Sequence, residues 1–378
     1  MSKWVIGFII VILLVLGVGY FFFHKTSAIP QKTVTLPSPS GDLIPTTKDQ
    51  PALSIVAQDL DTPWALAFLP DGSLLFTQRP GTLSMIAADG TQRQVAQMSE
   101  VAEIGEGGLL GLAIDPEFSK NNFIYMYYTY QQSGENTRNR VVRYTFKDQQ
   151  LSDPKILIDA IPGAPNHDGG RMKFGPDGFL YITTGDSQEP SLAQDKNSVA
   201  GKILRVTTDG KAASGNPFGN LVYSYGHRNP QGLAWDATGN LWATEHGRSI
   251  PISGLDELNL IKAGTNYGWP IIQGDETRSG MQTPVRNSGS TTWAPAGIVY
   301  LNGSLFFGGL KGQSLYEAVL DGQNISDLKV HFKGKFGRVR DVILGPDGML
   351  YITTSNKDGR GSPLANDDKI LRVNPAKL

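Results

Sequence analysis

The sequence predicts an all-β fold, a six-bladed β-propeller, and three observations carry that prediction. Glycine and proline number 44 and 23 among 378 residues, together about 18% against an average near 12%. Such an excess suits short strands joined by tight turns, because helices exclude both residues. A turn-then-strand unit recurs six times along the chain, and a second strand follows each copy. One hairpin repeated six times is the signature of propeller blades rather than of a β-sandwich.

The elements follow in chain order. Trp4 to Phe23 is an uncharged apolar run, long enough as a helix to span a bilayer. Lys3 precedes it, so the N-terminus is expected in the cytoplasm and the rest of the chain outside. Phe21-Phe22-Phe23-His24-Lys25 offers no small-residue cleavage site. Residues 1–28 therefore read as a transmembrane anchor, with a cleaved signal segment as the alternative. Residues 29–51 carry Pro30, Pro37, Pro39, Pro45 and Pro51 among Ser, Thr and Lys, the composition of an extended, disordered linker. Residues 52–378 form the propeller.

Three copies of the turn unit are nearly identical: Pro70-Asp71-Gly72, Pro176-Asp177-Gly178 and Pro346-Asp347-Gly348, each followed by an apolar strand. Weaker copies begin at Asn121, Gly239 and Asn302. The following strands start at Thr82, Val141, Lys202, Glu257, Ser314 and Lys369. Leu53 to Ala57 has strand character and precedes the first unit, while the last unit ends only five residues before the C-terminus. The N-terminal strand is therefore expected to complete the last blade and remove its open edge.

Composition narrows the chemistry. Without cysteine there is no disulfide framework, thiolate metal site or cysteine nucleophile. Lys plus Arg is 34 and Asp plus Glu is 35, which gives no reason to expect nucleic acid as a partner. The two strands of a unit are widely separated in the second, third, fourth and sixth units, so those loops are where a site is sought.

Four segments carry polar content that a turn does not require. Gly105-Glu106-Gly107-Gly108 places a carboxylate among glycines. Asn166-His167-Asp168-Gly169-Gly170 holds a histidine in the setting of a general base, and Asp186, ending the next strand, is placed to orient an imidazole. Tyr225-Gly226-His227-Arg228-Asn229-Pro230-Gln231-Gly232 reads as a recognition loop. It is followed by Glu245-His246-Gly247-Arg248, Asp256-Glu257 and Asn266-Tyr267-Gly268-Trp269-Pro270, whose carbonyls and carboxylates suit a hard cation such as calcium. Lys311 and the pair Arg338 and Arg340, on one face if extended, suit a ligand with several carboxylates. On the residues alone, each segment also reads as an ordinary hydrogen-bonded loop or scattered surface charge.

In order, these segments resemble the glucose/sorbosone dehydrogenases, and within them the aldose sugar dehydrogenases that use pyrroloquinoline quinone (PQQ). The resemblance covers about residues 52 to 378. Its most specific parts are His227-Arg228-Asn229-Pro230-Gln231-Gly232 and Asn266-Tyr267-Gly268-Trp269-Pro270. It implies a six-bladed propeller in which His167 takes the proton from the anomeric hydroxyl of an aldose and Asp186 orients it. Arg228 would stabilise negative charge on the reduced quinone, and Arg228, Asn229, Lys311, Arg338 and Arg340 would bind PQQ. Glu106 would face the sugar, where glucose-specific members have a glutamine. Calcium would be held by the carbonyls of Gly247 and Arg248, and a second calcium by Glu257 and the Tyr267 carbonyl. An external electron acceptor completes the reaction, in the periplasm or at the cell surface. The competing readings are a calcium-dependent lactonase-type hydrolase, which would need no Lys311, Arg338, Arg340 group, and a non-catalytic surface binding propeller.

Overall fold

The structure, a computed structural model, describes residues 50–132, 137–249 and 253–378. The expected anchor and nearly all of the expected linker lie outside them. Among the described residues no helix is long and apolar enough to cross a membrane.

Six four-stranded antiparallel sheets make up the fold. The first blade consists of Pro63–Phe68, Leu74–Gln78, Thr82–Ile86 and Gln92–Gln97. The next four repeat this order, with inner strands at Leu109–Ile114, Met172–Phe174, Pro230–Trp235 and Pro295–Leu301. The repeats noticed in the sequence are the second and third strands of each blade.

The Pro-Asp-Gly turns join the first strand of a blade to its second. The third-blade copy shows why this tripeptide recurs. Gly178 sits at φ +77°, where a side chain would be strained. Asp177 Oδ1 accepts the Phe179 N–H at 3.2 Å. Its Oδ2 takes the Tyr181 hydroxyl at 2.9 Å and Arg205 Nε at 2.8 Å, tying the turn to the second and third strands. Asp347, Tyr351 and Arg372 repeat that arrangement in the sixth blade.

The sixth blade is built from Val339–Leu344, Leu350–Thr354 and Ile370–Val373, and Leu53–Ala57 is its fourth strand. Leu53 pairs with Val373 and Ala57 with Ile370. The ring thus closes non-covalently, as the sequence predicts, with the N-terminal strand as the outer strand covering the edge of Ile370–Val373.

Inner and middle strands are buried, whereas outer strands such as Gln92–Gln97 are mostly exposed. Apolar residues fill the space between neighbouring blades, as where Leu66, Phe76 and Ile370 pack together across the closure. The central channel is crossed by an ion pair between Arg171, beside the third blade, and Asp341 of the sixth, at 3.1 Å. Arg171 also lies over the Trp64 ring at 4.3 Å. Both charges are buried, so each would be costly alone.

Candidate active site

Connections between blades and those between second and third strands meet at one end of the ring. They enclose a cavity of about 710 Å³ lined by residues from five blades and from the connections on either side of the second. This is where the loops singled out in the sequence converge.

His167 lies in the connection between the second and third blades, in left-handed backbone conformation at φ +67°. Gly185 lets the two loops meet, since a Cβ there would stand 1.8 Å from the His167 carbonyl oxygen. That contact brings His167 Nδ1 to 2.7 Å from Asp186 Oδ1. Asp186 is fully buried. Its Oδ1 also accepts the Gln188 N–H at 2.9 Å, and its Oδ2 accepts Trp269 Nε1 at 2.7 Å. The carboxylate is therefore fixed by three donors, the imidazole tautomer is set, and Nε2 is the nitrogen left for a ligand hydroxyl.

Glu106 approaches the same loop from the connection between the first and second blades. Its Oε2 accepts the His167 N–H at 3.1 Å and Asn229 Nδ2 at 3.4 Å, while Oε1 pairs with Arg360. Burial disfavours its charge, but the neighbouring His246 and Arg360 overcome this and hold the carboxyl at about 2. His246 is itself pushed down to about 4 by burial. At neutral pH it is uncharged, and Arg360 is the cation that compensates Glu106.

Arg228 is buried within the cavity wall. Its Nη2 donates to Ser249 Oγ at 3.2 Å, its backbone N–H to Glu245, and its guanidinium stands 5.3 Å from the Trp269 ring centroid. Asn229 is buried and accepts the Gly169 N–H at 3.0 Å. Arg338 and Arg340 share one counter-ion: Asp358 Oδ2 lies 2.7 Å from Arg338 Nη2 and 3.2 Å from Arg340 Nη2. Burial lowers Arg340 to about 10 against the pull of Asp358, which still leaves it charged at neutral pH. Lys311 is exposed and lines the cavity.

Gly247, Arg248 and Asp256 also line it. Gly247 donates its N–H to Asp256 Oδ1 at 2.8 Å. Glu257 and Tyr267 face a much smaller void on the other side of Gly247 and Arg248, together with Glu245 and Gln273. The Tyr267 ring is used structurally. It stacks on His227 at 4.7 Å, and its hydroxyl donates to the Leu260 carbonyl. Burial and the adjacent Glu245 push Glu257 up to about 8. Among the described residues no cluster of three or more His, Asp and Glu side chains is arranged to hold a metal, so any cation here would rely on carbonyls and few carboxylates.

Sequence reasoning passed over several cavity residues: Arg79, Gln188, Asp358 and Arg360. Asp358 and Arg360 lie in the long gap of the sixth unit, where the spacing already pointed. Nothing in the sequence marked Arg79, which lies in a short gap. His227 is the converse, for the ring of this recognition-loop histidine turns into the blade, bonded to Glu245 and Ser224 at 2.8 Å each.

The Glucose / Sorbosone dehydrogenase family matches residues 60–371. The Escherichia coli protein named aldose sugar dehydrogenase YliI is 30% identical over 358 residues, covering 85% of this chain and 92% of that one. Quinoprotein glucose dehydrogenase B of Acinetobacter calcoaceticus is 33% identical over 260 residues, 60% of this chain and 54% of that one. Among solved structures, the PQQ-bound form of aldose sugar dehydrogenase from Streptomyces coelicolor superposes with a TM-score of 0.79 at 41% identity, covering 85% of this chain and 98% of that one. With the matched segment spanning all six blades and the cavity they enclose, the chain belongs to the Glucose / Sorbosone dehydrogenase family.

Proposed function

We propose that this protein is a quinoprotein oxidoreductase that oxidises aldose sugars at the anomeric carbon to aldonolactones, with PQQ as its cofactor. One observation carries the proposal: a His167–Asp186 dyad shares a single cavity with Arg228, Lys311, Arg338 and Arg340.

The residues present fit the cofactor. Four buried side-chain atoms in the cavity wall lack a partner: Arg228 Nε, Arg248 Nε, His246 Nε2 and Gln231 Oε1. The two unpartnered guanidinium N–H groups, Arg228 Nε and Arg248 Nε, beside Arg338 and Arg340 suit a planar ligand with several carboxylates and carbonyls, and Gln231 Oε1 can accept from a ligand N–H or O–H. Lys311, Arg338 and Arg340 would hold its carboxylates, and Asn229 and Arg228 its remaining oxygens. When bound, PQQ supplies a quinone that accepts the hydride leaving the anomeric carbon.

His167 takes the proton from the anomeric hydroxyl at Nε2. Asp186, held by Trp269 and Gln188, keeps the imidazole in the right tautomer and stabilises its protonated form. Arg228 places positive charge beside the dyad, where negative charge develops. Glu106 receives sugar hydroxyls.

Calcium belongs to the same reading, as a Lewis acid held by the Gly247 and Arg248 carbonyls. A second calcium fits beside Glu257, the Tyr267 carbonyl and Glu245. The unpartnered Gln273 Oε1 in that void, and a carboxyl forced to stay protonated, favour a cation there. The uncharged N-terminal run supports a location outside the cytoplasmic membrane, with electrons passed to an external acceptor.

The test is reconstitution. Purified apoprotein given PQQ and calcium should reduce a redox dye with aldoses as substrate, and either omission should abolish this. Dye reduction that is absent with both present, across neutral aldoses, would sink the proposal.

A further inference from the structure

We propose that the ion pair between Glu106 and Arg360, seated beside His167, is the element that sets sugar specificity, and that it selects uncharged aldoses. The proposal rests on the reading of His167 as the base at the reacting carbon.

Arg360 projects from the connection between the second and third strands of the sixth blade. Glu106 comes from the connection between the first and second blades. Folding brings the two together although they lie 254 positions apart. One guanidinium nitrogen of Arg360, Nη1, bonds Glu106 Oε1, and the other, Nη2, bonds Asn166 Oδ1. The second oxygen of Glu106 accepts the backbone N–H of His167 at 3.1 Å. Asn166 directly precedes His167 and is itself fixed by Gln188 Oε1, which accepts from its backbone N–H at 3.2 Å and its Nδ2 at 3.3 Å. A carboxylate, a guanidinium and an amide thus form one connected group around the imidazole, and all of them line the cavity. A molecule that presents a hydroxyl to His167 lies against this group.

The charges make the arrangement selective. Arg79 is paired with Glu103, and Arg338 and Arg340 with Asp358. Arg360 has Glu106 as its carboxylate, and the sum of that pair is zero. A polyol satisfies both partners, because the carboxylate accepts hydroxyl protons and the guanidinium donates to hydroxyl oxygens. An aldose bearing its own carboxylate meets Glu106, and one bearing an ammonium group meets Arg360. Like charges brought together in a partly desolvated site are costly. Arg360 is half exposed (51% of its side chain), so the pair contributes little to folding and its removal leaves the blades intact.

Removing one partner unbalances the site in a stated direction. Glu106→Gln leaves Arg360 alone and turns the site toward anionic sugars. Arg360→Gln leaves Glu106 alone and turns it toward cationic sugars. The experiment measures kcat/KM for a neutral hexose, its uronate and its 2-amino counterpart near pH 6.5, on the PQQ- and calcium-loaded enzyme. The expected result is a roughly tenfold rise in the uronate-to-neutral ratio for Glu106→Gln, and a similar rise in the amino-to-neutral ratio for Arg360→Gln. Both shifts should shrink as salt is added. Equal changes for all three sugars in both variants would mean that the pair merely ties loops together, and would overturn the proposal. Should the loaded wild-type protein oxidise no aldose, the oxidoreductase reading fails by itself. Saturation-transfer NMR with the same sugars and variants then decides the pair independently, with the same reversal expected and its absence overturning the assignment.

Discussion

His167 and His227 are the same residue type in similar polar loops, yet only His167 reaches the cavity. Burial decides between them: His227 spends both ring nitrogens on Glu245 and Ser224, whereas His167 spends only one on Asp186. Replacing His167 by Ala should therefore lower turnover by roughly 10² to 10⁴ while PQQ still binds. Lys311→Ala or Arg338→Ala should weaken PQQ affinity instead. Loss of a charge-assisted contact worth about 1.5–3 kcal/mol corresponds to roughly one to two decades in Kd, so excess PQQ should restore these variants and not His167→Ala. Cofactor titration monitored by absorbance, alongside turnover, separates the two outcomes. Trp269→Phe removes one donor from Asp186 and leaves a carboxylate that stabilises imidazolium more strongly. His167 acts as the neutral base, so the acidic limb of the kcat/KM profile should then move to higher pH, and an unchanged profile would show that the indole N–H does not tune the dyad. Asp168 supplies a stability test. Burial, with help from Glu106, raises its carboxyl to about 7, and its Oδ2 has no partner. A raised folded-state value means that its stabilising contribution is full below about pH 4 and lost as pH rises through about 7. Because lowered groups such as His246 gain stability over part of the same window, the Asp168 contribution is read as the difference in urea midpoint between the protein and its Asp168→Asn variant, which should change by the equivalent of up to about 4 kcal/mol between about pH 4 and 7.

At the scale of elements, the loop after the third blade's second strand is held by an unusual device. Lys202 is buried, and its Nζ donates to the carbonyls of Leu192, Ala193 and Ala200 at 2.7, 3.0 and 2.5 Å. These donations cap the short 3-10 helix Pro190–Ala193 and the turn beyond it. Gln194 follows directly and donates to the Trp269 carbonyl at 2.6 Å, so the Lys202 anchor continues into the Trp269 contact with Asp186. Lys202→Met should leave buried carbonyls unpaired at a cost of about 1–3 kcal/mol or more. Amide exchange in residues 190–200 should speed up ahead of global unfolding, and uniform protection across the blade would refute the anchoring role. Strands and turns of this element were legible in the sequence, because the apolar strand after Pro-Asp-Gly and Lys-Ile-Leu-Arg-Val, which recurs at residues 369–373, are local patterns. The loop's path was not, since a lysine that looks like a surface strand residue is buried only because three carbonyls surround it.

For the whole molecule, the ring depends on one short N-terminal strand. Leu53–Ala57 pairs with Ile370–Val373 and Asn374 donates its N–H to the Ala52 carbonyl at 3.0 Å. A protein begun at Gln50 should fold, stay monodisperse and match the full chain in PQQ-dependent turnover. One begun at Leu60 would expose the edge of Ile370–Val373 and should aggregate or unfold at lower temperature. Size-exclusion chromatography with thermal melts distinguishes the two, and equal behaviour would show that closure contributes nothing.

The sequence by itself determined the blade count, the second and third strands of each blade, the closing strand and the loops where polar residues gather. These are local or repeated properties, written in turns such as Pro176-Asp177-Gly178 and in the apolar runs that follow them. Only the tertiary structure decided which charges meet. Arg360 reaches Glu106, Arg171 reaches Asp341 across the channel, and Asp358 joins Arg338 to Arg340, because a closed ring brings loops from different blades to one axis. Pairing across such distances depends on where the backbone returns in space, and no spacing along the chain encodes it.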